Sequence, residues 1–144
     1  MNSVLEKLQA RRKMMFIIVV SVFMIALVID QVFTVQAVDY FEYKTQTYMV
    51  YGLIVYKLIE LVIIYFIFYY RHMIKCKDSQ SDETILARFE KNGKRFFMLV
   101  PQGNIVFGII SYKFTGSVEF LLLFLLFAFT TLCIVQPNKV LKKA

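Results

Sequence analysis

Residues 48–70 of the chain read YMVYGLIVYKLIELVIIYFIFYY. As a single helix this run is long enough to cross the hydrocarbon core of a bilayer, which is about 30 Å thick. Lys57 and Glu60 interrupt it near its middle. Charged side chains at that depth are costly and usually face a bundle interior, a cavity or each other. The run therefore indicates a membrane helix that carries two ionisable groups close to the midplane.

The composition is typical of a membrane protein. Of the 144 residues, 59% are hydrophobic and 17% are aromatic, whereas an ordinary soluble domain is about 45–50% apolar. The length fits one folded unit, so we expect residues 1–144 to form a single membrane domain. The net charge of +7 does not indicate nucleic-acid binding, because the basic residues cluster at the ends of apolar runs and no isolated basic face is visible.

Four apolar runs define the predicted membrane spans, at residues 14–35, 48–70, 96–112 and 118–136. The predicted fold is therefore an all-α integral membrane protein, a four-transmembrane-helix bundle. The third run is the weakest because it contains Pro101-Gln102-Gly103-Asn104. In a membrane helix this tetrapeptide predicts an unwound break. The same four residues also fit the turn of a β-hairpin, which is the alternative for this segment.

The distribution of lysine and arginine predicts the orientation of the bundle. With four crossings and both termini in the cytoplasm, fourteen of the 17 Lys and Arg residues lie at the N-terminus, in the cytoplasmic loop 71–95 or at the C-terminus. The two outer loops then hold only Lys44 and Lys113. An asymmetry of this size follows the positive-inside rule and favours this orientation.

Short amphipathic helices are expected on the cytoplasmic side. Ser3 and Glu6 form a capping-box pattern at the start of an amphipathic turn. Ser81 precedes a second apolar face, which Asn92-Gly93 ends. Amphipathic helices of this kind often lie at the boundary between headgroups and acyl chains.

The first span also has features of a cleaved secretory signal peptide. A basic segment precedes its apolar run, and Val35-Gln36-Ala37 resembles the small-residue ending of a cleavage site. Against cleavage, the apolar core is long, and Asp30 falls within the would-be cleavage region. We therefore expect this segment to be retained as a span.

Seven polar side chains within the predicted spans form the candidate site, either as packing groups or as an ion path: Asp30, Lys57, Glu60, Gln102, Asn104, Thr130 and Thr131. At a rise of 1.5 Å per residue, several of them come out in the inner half of the bilayer, which predicts one polar layer. Asn104 also shares a helix face with Gly108 and Ser111, a small-residue spacing that favours close helix packing.

Two pairings are open for Lys57. Glu60 lies one helical turn away, so the two side chains can neutralise each other on one helix face. Alternatively, Lys57 extends outward to Asp30 near the outer end of the first span. The second pairing leaves Glu60 as the less neutralised charge, and therefore as the group more suited to binding a proton or an ion.

The chain has no recognisable catalytic motif, and we expect no enzyme activity, no cofactor and no metal site. It lacks G-x-S-x-G, H-E-x-x-H and P-loop patterns. Its single histidine and two cysteines give no metal-ligand spacing.

The predicted function is that of an accessory, assembly or regulatory subunit that acts through helix contacts in the lipid bilayer. Its expected partners are other membrane subunits or a second copy of itself. The alternative is a small oligomeric transporter or channel in which Glu60 titrates. Small size and the absence of N-glycosylation sequons favour a bacterial cytoplasmic (inner) membrane.

Overall fold

The computed structural model describes residues 2–33, 36–38, 41–67, 91 and 95–136. Within these ranges, four α-helices have both ends described: α1 (Asn2–Val32), α2 (Tyr43–Phe66), α3 (Val100–Thr115) and α4 (Val118–Ile134). A π-helical turn, Arg95–Leu99, leads directly into α3. No strand occurs within these described ranges, so the all-α fold class is confirmed there.

The third predicted run is a helix, and the β-hairpin alternative for it is wrong. The expected unwound break at Pro101–Asn104 is also wrong, because Val100–Thr115 is continuous α-helix. The irregularity lies in the preceding turn, Arg95–Leu99, which is π-helical. Proline has no N–H, and its ring clashes with the carbonyl one turn earlier. A wider π-helical turn just before Pro101 accommodates both properties without interrupting the helix.

α1 is longer than the predicted first span. Because residues 2–32 contain neither glycine nor proline, nothing breaks the helix between the N-terminal segment and the apolar run. The separate amphipathic helix expected at the N-terminus is therefore the beginning of α1, and its Leu8 is fully buried. The second amphipathic helix, expected within residues 71–95, lies almost entirely outside the described residues.

Two of these helices are long and apolar enough to cross a membrane, judged by length and composition: Glu6–Val32 within α1, and Tyr43–Phe66. Val118–Ile134 is apolar but shorter. Only 17% of the most apolar window of each long helix is buried by the rest of the chain. Most of their apolar side chains therefore point outward, which is the opposite of what a core helix of a soluble protein shows.

α3 and α4 form a tight antiparallel hairpin. Gly116 ends α3 in the left-handed conformation (φ 68°), which a residue with a side chain rarely adopts. Its N–H donates to the carbonyl of Tyr112 at 2.8 Å. The hydroxyl of Thr115 donates to the Ser111 carbonyl at 2.8 Å and accepts from the N–H of Ser117 at 3.2 Å. These bonds satisfy groups that the helix ends leave open.

The two helices of this hairpin approach most closely at Gly108. A Cβ added there would lie 2.8 Å from Cδ1 of Leu121, 3.1 Å from Cβ of Phe124 and 3.3 Å from the Leu121 carbonyl oxygen. Real Cβ atoms essentially never show a separation of 2.8 Å, and the other two separations are tighter than most observed Cβ contacts. The contact between α3 and α4 therefore favours glycine at this position.

α1 packs antiparallel against α4. The rings of Phe16 and Phe129 meet edge to face, with their centroids 5.2 Å apart. Nε of Arg12 donates to the carbonyl of Leu132 at 2.8 Å, one of the carbonyls that the end of α4 leaves without an intrahelical partner. The first third of α1 and the last turn of α4 therefore lie at the same end of the bundle.

The connection between α1 and α2 lies at the opposite end. The Val38 N–H donates to the Lys113 carbonyl near the end of α3, at 3.1 Å. Gln46, at the start of α2, is buried, and its Nε2 donates to the Val38 carbonyl at 2.6 Å. Farther along α2, the Tyr51 ring meets the Phe120 ring of α4 edge to face, with the centroids 6.0 Å apart. The helices thus alternate in direction along the chain.

We expect Gly108→Ala to destabilise the protein by about 1–3 kcal/mol, the usual cost of forcing an extra carbon into a packed interface. Gly52→Ala is the matched control, because an added Cβ there would meet nothing within 4 Å. The control should be neutral or slightly stabilising, since alanine is the better helix former. Thermal unfolding in mild detergent measures both variants. Equal melting temperatures for the two would contradict the close approach at Gly108.

Candidate functional site

Lys57 is buried at the interface between α2 and α3. Only 4% of its side chain is exposed, and its Nζ lies 4.9 Å from the centroid of the Phe107 ring on α3. A Cβ added at Gly103 of α3 would lie 3.8 Å from the same Nζ. The lysine therefore faces into the helix bundle, as expected for an ionisable group far from the ends of an apolar helix.

The charge of Lys57 is neutralised within α2. Its Nζ donates to Oε2 of Glu60, one helical turn farther along, so the first of the two predicted pairings is the one present. The same Nζ lies 5.4 Å from the centroid of the Tyr56 ring. One carboxylate and two aromatic faces thus surround the ammonium group, and their combined attraction offsets its desolvation. Glu60 is less enclosed, with 24% of its side chain exposed.

Asp30 does not take part in this arrangement. It is exposed near the end of α1, and it forms no ion pair within the described part of the chain. The interpretation of Asp30 as the counter-ion of Lys57 is therefore wrong. The physical reason is that Lys57 points into the interface between α2 and α3 and reaches a carboxylate on its own helix.

The other predicted site residues do not form a connected polar layer. Gln102 is exposed, whereas Asn104 is buried with 1% exposure. The hydroxyls of Thr130 and Thr131 donate to the Leu126 and Phe127 carbonyls on their own helix, at 2.8 and 2.9 Å. Inside helices, threonine hydroxyls often donate to a backbone carbonyl one turn earlier. Among the described residues, no hydrogen bond or ion pair joins these side chains to Lys57 or Glu60.

Three buried polar atoms on α3 have no hydrogen-bond partner among the described residues: Asn104 Oδ1, Ser111 Oγ and Tyr112 Oη. Ser111 lies on the face that packs against α4, one turn beyond Gly108. An unsatisfied polar atom in such a place costs stability. Ser111 is small enough to be fully buried here, and its hydroxyl makes no hydrogen bond among the described residues.

Two contributions were not predicted from the sequence. From the sequence, Arg12 was one of several basic residues that set the orientation of the bundle. In the structure it also donates a hydrogen bond to the Leu132 carbonyl at the end of α4. Phe107 looked like one apolar residue among many, but its ring lies under the Lys57 ammonium. Both depend on contacts between residues far apart in the chain, which no local pattern carries.

No protein-family model, no curated protein and no solved structure matches the chain. The assignment of a role therefore depends on the geometry described above. Among the described residues, no three His, Cys, Asp or Glu side chains lie close enough together to hold a metal ion. The expectation of no enzyme activity, metal or cofactor stays a prediction.

We expect Lys57→Met and Glu60→Gln each to destabilise the protein, and the double variant to lose less than either single variant. Removing one partner of a buried ion pair costs about 3–5 kcal/mol, while replacing both with uncharged groups is often close to neutral. Glu60→Gln should have the larger effect, because it leaves the more buried charge unpaired. Thermal unfolding in mild detergent measures the cycle.

The matched control for that cycle is Glu42→Gln with Lys44→Met, since both side chains are exposed at the start of α2. These changes should alter the melting temperature little, alone or together. Additive losses for Lys57 and Glu60 would show that the two side chains do not act as a pair.

We expect Ser111→Ala to stabilise the protein by about 1 kcal/mol, because it removes a buried hydroxyl that has no partner. Thr115→Val is the comparison, because it removes a hydroxyl of similar burial that makes two hydrogen bonds. The comparison variant should melt at a lower temperature than the unmodified protein. Shifts of the same sign for both variants would contradict this account.

Proposed function

We propose that the chain is a polytopic membrane protein with four crossings and that it serves as an accessory or assembly subunit through helix contacts in the bilayer. We place both termini in the cytoplasm, in a bacterial cytoplasmic membrane. The observation that carries the assembly role is an outward face of α2 centred on Gly52, where an added Cβ would meet no atom of the described residues within 4 Å.

Membrane insertion is supported by the outward-facing apolar surface. α1 and α2 have the length and composition of spans, and their exposed large side chains include Ile17, Met24, Val55 and Ile59. Soluble monomers of this size rarely expose so extensive an apolar surface. The π-helical turn with α3, and the apolar α4, are the candidates for the third and fourth crossings.

Retention of the first span is supported by its packing. Met15, Val19 and Ala26 of α1 are buried in the same apolar cluster as residues from α4. Arg12 adds a polar bond to the end of that helix. A cleaved signal peptide would not be packed into the core of the mature protein, so we treat α1 as part of the mature bundle.

Gly52 distinguishes the outward face of α2 from an ordinary lipid-facing surface. A Cβ added there would meet nothing within 4 Å, whereas one at Gly108 would collide with α4. A mid-helix glycine costs about 1 kcal/mol relative to alanine. In membrane helices, small residues let the backbone of a second helix come close. Tyr48, Val55 and Ile59 are exposed on the same face and flank Gly52 as contact residues.

The state of the charge pair supports assembly over transport. A titrating glutamate in a transporter has to exchange its proton or ion with the solution. Here Glu60 accepts a hydrogen bond from Lys57, and that lysine is itself buried between α2 and α3. The pair therefore suits a fixed role in positioning α2, which in turn orients the Gly52 face away from the bundle.

We expect Gly52→Leu to abolish the partner contact and leave the fold intact. The test is photo-cross-linking in native membranes from a photoreactive residue at position 59, followed by mass spectrometry of the product. The variant should lower the yield by about tenfold, equivalent to about 1.4 kcal/mol of contact energy. Ser21→Leu places the same side chain at an exposed position of α1 and is the matched control.

The product also separates the possible partners. A different membrane protein makes this chain an accessory subunit, whereas a second copy makes it a self-assembling one. An unchanged yield in Gly52→Leu would overturn the role of this face. If no product forms, and proteoliposomes show pH-dependent flux that is lost in a folded Glu60→Gln variant, the transporter alternative takes its place.

A further inference from the structure

A groove of about 220 Å³ lies between α1 and α4 on the outside of the bundle. Its walls are entirely aliphatic or aromatic and include Val19, Val20, Phe23, Leu122, Leu126 and Phe129. Val20, Leu126 and Phe129 are themselves exposed, so the groove opens sideways. In a protein that spans a membrane, such an opening faces the acyl chains of the surrounding lipid.

One end of the groove points toward a basic site. The ring of Phe129 in its wall meets the ring of Phe16 at 5.2 Å, and the Arg12 guanidinium lies 5.1 Å from the centroid of the Phe16 ring. Lys13 precedes Val20 by about two helical turns, which places it on the same side of α1. Contacts therefore run without interruption from the apolar groove to Arg12, and the helical spacing places Lys13 on the same side of α1 as Val20.

The cations are suited to bind an anionic group. Nε of Arg12 donates to the Leu132 carbonyl at 2.8 Å, which fixes the guanidinium in place. Among the described residues, no hydrogen bond or ion pair uses the terminal N–H groups of Arg12 or the ammonium of exposed Lys13. A held guanidinium with open terminal N–H groups presents the planar donor pattern that phosphate oxygens accept.

We propose that this surface binds one anionic phospholipid, with an acyl chain in the groove and its phosphate on Arg12 and Lys13. The proposal rests on membrane insertion, which is part of the function proposed above, but not on the Gly52 contact.

The dimensions and the charge pattern favour a lipid as the occupant. From Lys13 to Phe23 the rise along α1 is about 15 Å, which equals about half of a 30 Å hydrocarbon core. The site therefore extends over one leaflet, and the positive end lies where the positive-inside rule places the anionic cytoplasmic surface. Basic sites beside membrane helices on that side are typical positions for anionic headgroups.

The test is native mass spectrometry of the full chain in mild detergent, titrated with phosphatidylglycerol or with phosphatidylcholine of the same acyl chains. Phosphatidylglycerol should bind more tightly, and Lys13→Gln should weaken it about fivefold without changing phosphatidylcholine. Val20→Phe fills the groove and should weaken both lipids. Two controls should leave binding unchanged: Val62→Phe at an exposed position of α2 beyond the residues of the Gly52 face, and Lys44→Gln near the opposite end of the bundle.

Several results would overturn the proposal. Equal affinity for the two lipids would show that the cations play no part in binding. If Lys44→Gln weakened phosphatidylglycerol binding as much as Lys13→Gln, the preference would come from general surface charge. Full competition by inorganic phosphate at millimolar concentration would show an anion site without a lipid site. Extraction of the protein from membranes by alkaline carbonate would instead refute membrane insertion itself, so the two failures are distinguishable.

Discussion

The close approach of α3 and α4 at Gly108 is the constraint on which the rest of the bundle depends. With the Leu121 carbonyl 3.3 Å from where a Cβ would stand, the two backbones are nearly in contact. The short turn at Gly116 holds them antiparallel. α1 packs against one side of this hairpin and α2 against the other, so each takes its position from a pair of helices that is already fixed. In a bilayer the hydrophobic effect does not drive helices together, and small residues promote association by letting helix backbones pack closely.

The ion pair in α2 shows how a long apolar helix accommodates charge. Coulomb attraction grows as the dielectric constant falls, but so does the cost of removing each ion from water. Glu60 on the same helix and the rings of Tyr56 and Phe107 reduce that cost for Lys57. Burial of Lys57 against α3 fixes the rotation of α2 about its axis, since any other rotation would remove the ammonium group from the Phe107 ring.

The helical segments were predictable from the sequence because they depend on local properties. Apolar runs predicted a helix at each of the four described segments, and the three-residue spacing of Lys57 and Glu60 supported their pairing, which was one of two alternatives. The predictions about Pro101 and Asp30 were wrong for reasons that are not local. A π-helical turn in the preceding residues accommodates Pro101, so the helix continues without a break. The orientations of α1 and α2 about their axes, relative to α3, decide whether Lys57 can reach Asp30. Residue spacing along the chain does not predict these orientations.

The hydrogen bond from Arg12 to the Leu132 carbonyl joins residues 120 positions apart, and this has a consequence for the order of events during synthesis. Arg12 leaves the ribosome well before Leu132. The surface of α4 on which α1 packs therefore does not exist until α4 has been synthesised. The first two helices are both made before the α3–α4 hairpin against which they pack.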